Sequence, residues 1–279
     1  MLTAAELKAL LTAHHLRLTK RLGQNYLVDR GIIHRVIEAC ALSRSDSVIE
    51  IGAGLGALTE PLAERAGRVT ALEVDRAICH LLSERLKPLA NVTVRCEDAL
   101  DFSWRAVSDA VVVGAIPYHI TSPILVMLSE HRQAIRKAVL IVQEEVGDRL
   151  LAQPGTKAYG RLSVLGQYGW NITRRFRAPR HAFFPQPAVD SVVLELAGRK
   201  EPPVAVAQEP LFFEVVKAAF SQRRKTLLNC LLTLDGGLRR DTVERWLQQA
   251  GLPPAIRGEA LSLEQFARLA NTFGQVRQK

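Results

Sequence analysis

The stretch Val48-Ile49-Glu50-Ile51-Gly52-Ala53-Gly54-Leu55-Gly56 decides the fold. A short, mostly apolar run leads into three glycines at alternate positions, and apolar residues at helical spacing follow at 57–66. A strand that turns straight into a helix needs glycine there, because side chains would collide where the backbone must bend sharply or let a ligand approach. The helix start adds free N–H groups facing the same space. The spacing is G-x-G-x-G, not the G-x-G-x-x-G of dinucleotide enzymes, so by itself it marks a tight turn as well as a ligand site.

Outward from this joint the pattern repeats. Runs at 69–74, 92–96, 110–113 and 138–142 read as further parallel strands, with a helical stretch at 77–87. Alternation of this kind predicts a Rossmann-like α/β sheet covered by helices on both faces. Residues 171–177 and 191–196 alternate like strands, and their connection through Pro179, Pro185 and Pro187 suits an antiparallel pair at one end of the sheet. The stretch 199–210 reads as a linker, and 211–279 as several short helices broken at Gly236-Gly237 and Pro253-Pro254. The expected organisation is an α/β domain over 1–198, the linker, and a small all-helical domain over 211–279.

Successive strand ends carry acids. Glu73 lies about 20 residues past the glycines, where a carboxylate can take both hydroxyls of a ribose. Asp75, two residues on, is read as a helix N-cap. At the next strand end, Cys96-Glu97-Asp98-Ala99 offers a carboxylate for an adenine amino group. Ligands of open α/β sheets bind outside the carboxyl ends of the strands, so the three signals converge on one nucleoside-sized site.

The 279 residues include 37 Lys and Arg against 28 Asp and Glu, a formal charge of +9 that would attract a polyanion or simply aid solubility. Basic residues cluster at Arg17, Lys20, Arg21; at Arg174, Arg175, Arg177, Arg180; and at Arg223, Arg224, Lys225. No apolar run reaches the length of a membrane span, and the first residues lack a signal layout, so a soluble cytoplasmic protein is expected. Four cysteines without a C-x-x-C pair suggest buried reduced thiols rather than a zinc site or a disulfide framework. No histidine has ligand-like spacing, and no metal is expected.

Longer strings carry a resemblance. Leu22-Gly23-Gln24-Asn25-Tyr26-Leu27-Val28-Asp29, Glu50 to Gly56, Ile116-Pro117-Tyr118, Lys157-Ala158-Tyr159-Gly160-Arg161-Leu162-Ser163, Phe183-Phe184-Pro185-Gln186-Pro187, Phe220-Ser221-Gln222-Arg223-Arg224-Lys225-Thr226 and Arg257-Gly258-Glu259-Ala260-Leu261-Ser262 follow one another in order. With them the chain resembles, nearly end to end, the S-adenosylmethionine-dependent rRNA adenine N6-dimethyltransferases of the bacterial small-subunit branch.

The resemblance implies a methyltransferase sheet with a helical rRNA-binding domain, and S-adenosylmethionine as cofactor. Gln24, Asn25 and Leu27 would close over it, Gly52 and Gly54 would receive its methionine part, Glu73 its ribose, and Asp98 with Ala99 its adenine. Ala115, Ile116, Pro117, Tyr118 and Phe183 would form the catalytic surface, with Tyr118 and Phe183 stacking on a flipped target adenine. Phe183, among prolines, is expected to be an exposed ring in a loop. Arg174, Arg175, Arg223, Arg224 and Lys225 would contact rRNA phosphates. The implied partner is small-subunit rRNA in an immature ribosomal particle, with no membrane and no obligate protein partner.

Two departures stand out. The family has Asn where this chain has Ala115; that Asn and a neighbouring backbone carbonyl accept the two N–H groups of the target amine. Ala115 has no side-chain acceptor, while the carbonyl of Ile116 or Pro117 survives. Glu144 stands where a basic residue is expected, a change of surface charge. Two rivals stay open: the related large-subunit rRNA methyltransferases, against which the strings Phe220 to Thr226 and Arg257 to Ser262 favour the small-subunit branch, and, because of Ala115, a non-catalytic RNA-binding assembly factor that keeps the fold and pocket.

Overall fold

In the computed structural model the glycine stretch is the joint between β2 (Ser47–Ile51) and α3 (Thr59–Arg65). The structure describes residues 2–16, 18, 23–117, 120–222 and 224–277. Tyr118, His119 and Arg223, and the Arg17, Lys20, Arg21 cluster, lie outside the described residues. Two compact units result: Met1–Gly147 with Trp170–Gly198, and Asp148–Gly169 with Arg199–Lys279.

The first unit begins with α1 (Ala4–Ala13), β1 (Tyr26–Leu27) and α2 (Arg30–Cys40). After β2 and α3 come β3 (Arg68–Leu72), α4 (Arg76–Leu86), β4 (Val92–Arg95), β5 (Ala110–Ala115), α5 (Thr121–Glu130) and β6 (Ile135–Gln143). The cut between units falls within α6 (Glu144–Leu151), and α7 (Arg161–Gly169) belongs to the second unit. The first unit resumes with β7 (Trp170–Ala178), β8 (Phe183–Phe184) and β9 (Ser191–Gly198).

Among the described residues, seven strands form one sheet in the order β4-β3-β2-β5-β6-β9-β7. The first five are parallel, and β9 and β7 join antiparallel, as the alternation of their sequences predicts. Central β5 is buried over Ala110–Gly114 on both faces, which is why it reads as an unbroken apolar run. Edge strand β7 alternates burial with exposure and carries its arginines outward. The strand order reverses between β2 and β5, and that switch point opens a crevice beyond their carboxyl ends.

Two expectations are corrected here. Phe183 is not an exposed loop ring: β8 pairs antiparallel with β1, Leu27 opposite Phe183, leaving the ring 6% exposed among core residues. Two of the four cysteines are not free thiols: Cys79 on α4 and Cys96 after β4 are joined by a disulfide, with Cα atoms 5.6 Å apart. Cys40 and Cys230 are free and buried.

The second unit packs α7 with α8 (Glu209–Ala219), α9 (Leu227–Leu231), α10 (Arg240–Gln249) and α11 (Leu263–Arg277). The structure differs from a single break at 198, because Tyr159, Val164 and Tyr168 pack into this helical core. The Tyr159 hydroxyl donates to the Leu261 carbonyl at 2.9 Å, and the Tyr168 ring lies 4.9 Å from that of Phe212. The linker is also strapped down, since Asn271 donates to the Ala205 carbonyl and accepts from the Ala207 N–H. At the centre, Trp246 stacks 4.3 Å from Phe273, and its indole N–H donates to Leu269 and Thr272. No helix among the described residues is long and apolar enough to cross a membrane.

Candidate cofactor and target-base site

The crevice at the switch point is built by the three strand ends and covered in part by β1. Gly52, Gly54 and Gly56 all have positive φ, +72°, +57° and +88°, a region costly for other residues. At Gly54 the space is also taken, since a Cβ would lie 2.9 Å from the Tyr26 ring. The turn is thus closed down by the N-terminal segment, which is tied in place where Gln24 donates to Asp75 at 2.9 Å. Asp75 is the N-cap of α4, accepting from Ala77 and Ile78.

Glu73 reaches back to the glycine turn. Its two carboxylate oxygens accept from the Gly54 N–H at 2.8 Å and the Asp75 N–H at 2.9 Å. Burial pushes this carboxyl above its ordinary range, opposed by those backbone donors. Asp98 is oriented by the Leu100 N–H at 2.9 Å and lines the same cavity as Glu73, with Ala99 beside it. Val74, next to Glu73 and lining the same cavity, is 47% exposed, an apolar surface suited to the face of a base. Asn25, Leu27, Gly52, Gly54 and Ala115 also line this cavity.

One group in the cavity went unassigned in the sequence. Glu50 is 1% exposed, and among the described residues its Oε2 has no hydrogen-bond partner. Burial pushes its carboxyl up to about 8; the nearby Thr59 hydroxyl opposes this, and the Glu73 charge adds to it. A buried acid with an unmet oxygen facing a ligand space suits a cationic group. The signal was in the quoted stretch itself, an acid within an otherwise apolar strand. Tyr26 is the second such residue, its hydroxyl buried without a partner among the described residues and its ionisation opposed first by burial. Its signal in the sequence is its place between Asn25 and Leu27, in the string that carries the resemblance.

At the end of β5 the two candidate backbone acceptors separate. The Pro117 carbonyl already accepts from the Ile120 N–H and the Thr121 hydroxyl, both at 3.1 Å. No donor among the described residues reaches the Ile116 carbonyl, while the Ile116 N–H is held by Ile141 at 3.0 Å. The Ala115 carbonyl lies 3.6 Å from where a Gly52 Cβ would stand, so the acceptor strand end and the glycine turn are neighbours. Phe183 lines the same cavity.

The basic residues divide. Arg174 and Arg177 approach Glu144 at 3.6 and 3.5 Å, and Arg175 approaches Glu195 at 3.7 Å. Glu144 thus supplies a local counter-charge to the arginine strand. Arg224 and Lys225 are exposed ahead of α9 in the second unit.

A seven-stranded sheet of this order, with a glycine turn at its switch point and acids at the next two strand ends, has the fold of the methyltransferase class. The model of the ribosomal RNA adenine dimethylase family matches residues 15–274. Ribosomal RNA small subunit methyltransferase A of Geobacillus thermodenitrificans is 42% identical, over 97% of this chain and 96% of the relative. The protein of that name from Bacillus mycoides is 44% identical over 91% and 90%. Among solved structures, a dimethyladenosine transferase from Plasmodium falciparum superposes with a TM-score of 0.75 at 25% identity, covering 90% of this chain and 98% of its own. The 23S rRNA methyltransferase ErmE gives 0.65 at 31% identity, covering 90% and 100%. The chain belongs to the ribosomal RNA adenine dimethylase family, enzymes that use S-adenosylmethionine to dimethylate adenine in rRNA.

The cavity fits that cofactor. The glycine turn lines it, Glu73 and Asp98 offer acceptors, and the unmet Glu50 oxygen suits a cation.

Proposed function

We propose that this protein dimethylates N6 of two adjacent adenosines in a hairpin loop of small-subunit rRNA, within an immature ribosomal particle in the cytoplasm. The observation that carries the reading is the Ile116 carbonyl at the end of β5, beside the glycine turn and reached by no donor among the described residues. The small-subunit assignment is supported by relatives of that name at 42% and 44% identity, against 31% for the 23S enzyme.

S-adenosylmethionine supplies a methyl group already activated by its sulfonium, so the protein's task is binding and orientation. In this reading Gln24, Asn25 and Leu27 close the cavity, the turn at Gly52 and Gly54 receives the methionine part, Glu73 accepts from the ribose hydroxyls, and Asp98 with Ala99 takes the adenine. The Ile116 carbonyl accepts one N–H of the target amine, turning its nitrogen lone pair toward the methyl group. Ala115 contributes no second acceptor. Phe183 and Tyr118 cover the faces of the flipped base, each stack worth about 1–3 kcal/mol. Arg174 and Arg175, and separately Arg223, Arg224 and Lys225, contact phosphates.

Ala115 also favours a second reading, an assembly factor that binds rRNA and cofactor without turnover. Incubating the protein with methyl-labelled cofactor and unmethylated small subunits, then mapping the modified bases, decides between them. Label at N6 of two neighbouring adenosines is expected; bound particles without label would leave the assembly factor.

A further inference from the structure

The one covalent cross-link among the described residues sits beside the adenosine half of the cavity. Cys79 lies in the first turns of α4, its N–H donating to the carbonyl of the N-cap Asp75 at 2.8 Å. Cys96 opens the segment 96–98 that ends in Asp98. The disulfide therefore ties the helix that starts just past Glu73 to the loop that carries Asp98.

Few polar contacts tie residues 96–98 to the neighbouring strand. β4 is the edge of the sheet and half exposed, and the Glu73 N–H donating to the Arg95 carbonyl at 3.1 Å marks the last rung between β3 and the loop. Beyond it, among the described residues, the polar contacts of 96–98 are local, Arg95 with Glu97 at 2.8 Å and Asp98 with Leu100 and Asp101, and packing into the core resumes only at Ala99, Phe102 and Trp104. Losing the cross-link would free the Asp98 loop to move relative to Glu73. A site whose two anchoring acids are fixed beforehand binds more tightly than one that must order them.

The two sulfurs are unequal in access. Cys79 is fully buried and Cys96 is exposed. We propose that Cys79 and Cys96 form a reversible thiol–disulfide site, and that its oxidised form holds the adenosine end of the cofactor cavity in its binding geometry. The inference rests on the cofactor-site assignment above.

In oxidation, the exposed Cys96 thiolate attacks one sulfur of a low-molecular-weight disulfide such as oxidised glutathione and expels one thiol. Cys79, losing its proton, then attacks Cys96 Sγ in the mixed disulfide and expels the second. Two protein thiols are oxidised, the reagent disulfide is reduced to two thiols, and two electrons and two protons pass between them. A dithiol attacking at Cys96 reverses the step.

The test uses the full chain equilibrated with oxidised glutathione or with dithiothreitol. Thiol titration after denaturation should count two thiols in the first state, Cys40 and Cys230, and four in the second. Calorimetry with S-adenosylhomocysteine should show affinity weaker by about 3- to 10-fold in the reduced state, with faster amide exchange over 96–101. Cys96→Ser, a change at an exposed position, should give the weaker value in both buffers. Four thiols in both states, equal affinities, or a redox response that persists in Cys96→Ser would each overturn the inference. Absence of binding in either state would instead overturn the cavity assignment, and the coupling with it.

Discussion

In the proposed reading activity turns on Ala115, because the target amine presents two N–H groups and, among the described residues, the end of β5 leaves one backbone acceptor for them. The Pro117 carbonyl is engaged twice by the start of α5, so among the described residues the one left without a donor is at Ile116. An unmatched N–H in a closed site costs about 1–3 kcal/mol. Ala115→Asn should therefore raise single-turnover methyl transfer by about 10- to 100-fold. The gain should fall mainly on the first transfer, since a monomethylated amine has a single N–H left for Ile116 to hold. Time courses resolving mono- and dimethyladenosine check this; an unchanged first rate would show that another group accepts the second N–H. Glu50 gives the second prediction at this scale. Its carboxyl is protonated up to about pH 8 when folded, against an ordinary value of 4.5. Between those values the unfolded chain binds fewer protons, so Glu50 lowers stability as pH rises from about 4.5 to about 8. In Glu50→Gln this contribution vanishes, and the variant's melting temperature should gain on the wild type across that window. A cationic ligand favours the ionised form, so cofactor binding near pH 7 should release a proton from wild type and not from Glu50→Gln. Calorimetry in buffers of differing ionisation enthalpy measures it.

At the scale of elements, the joint between β2 and α3 works because two separate parts of the chain need glycine there. Gly54 combines a φ of +57° with the Tyr26 ring 2.9 Å from any added Cβ. Gly54→Ala should push β1 away from the turn and weaken cofactor binding by tenfold or more, by an estimate of about 1–3 kcal/mol for strain and overpacking. The helical unit, judged by its melting in differential hydrogen exchange, should be unaffected; retained affinity would mean that β1 plays no part in closing the cavity. This joint was legible in the sequence, as were the strands, because strands buried on both faces write continuous apolar runs and glycines at a sharp turn have few substitutes. β8 was not legible. Two residues leave no periodicity, and the partners that bury Phe183, Leu27 opposite it among them, are far off in sequence. The Cys79–Cys96 bond was hidden for a similar reason, since a spacing of 17 residues fits no cysteine motif and is set by the packing of α4 on β4. Residues 148–169 read as part of the α/β domain because they precede β7 in the chain, yet Tyr159 and Tyr168 find their apolar partners among the later helices.

For the molecule as a whole, the surplus of +9 acts on rRNA only through the charges that are free to meet phosphate. Arg174, Arg175 and Arg177 face carboxylates of Glu144 and Glu195 within 4 Å, so a phosphate arriving there replaces an existing partner and releases fewer counterions. Arg224 and Lys225 are exposed, with no carboxylate paired to either among the described residues. The two clusters should therefore differ in salt dependence even where they contribute similar affinity. Replacing Arg223, Arg224 and Lys225 together by Ala should weaken binding to the immature small subunit and flatten the plot of log affinity against log salt by up to roughly three counterions' worth of slope. Replacing Arg174 and Arg175 should flatten it by less than two. Cofactor affinity should stay at the wild-type value in the triple variant, because those residues belong to the second unit and the cavity to the first. A slope unchanged by the triple replacement would make that cluster a solvated helix approach, and would move the search for the phosphate contacts to the arginines of β7.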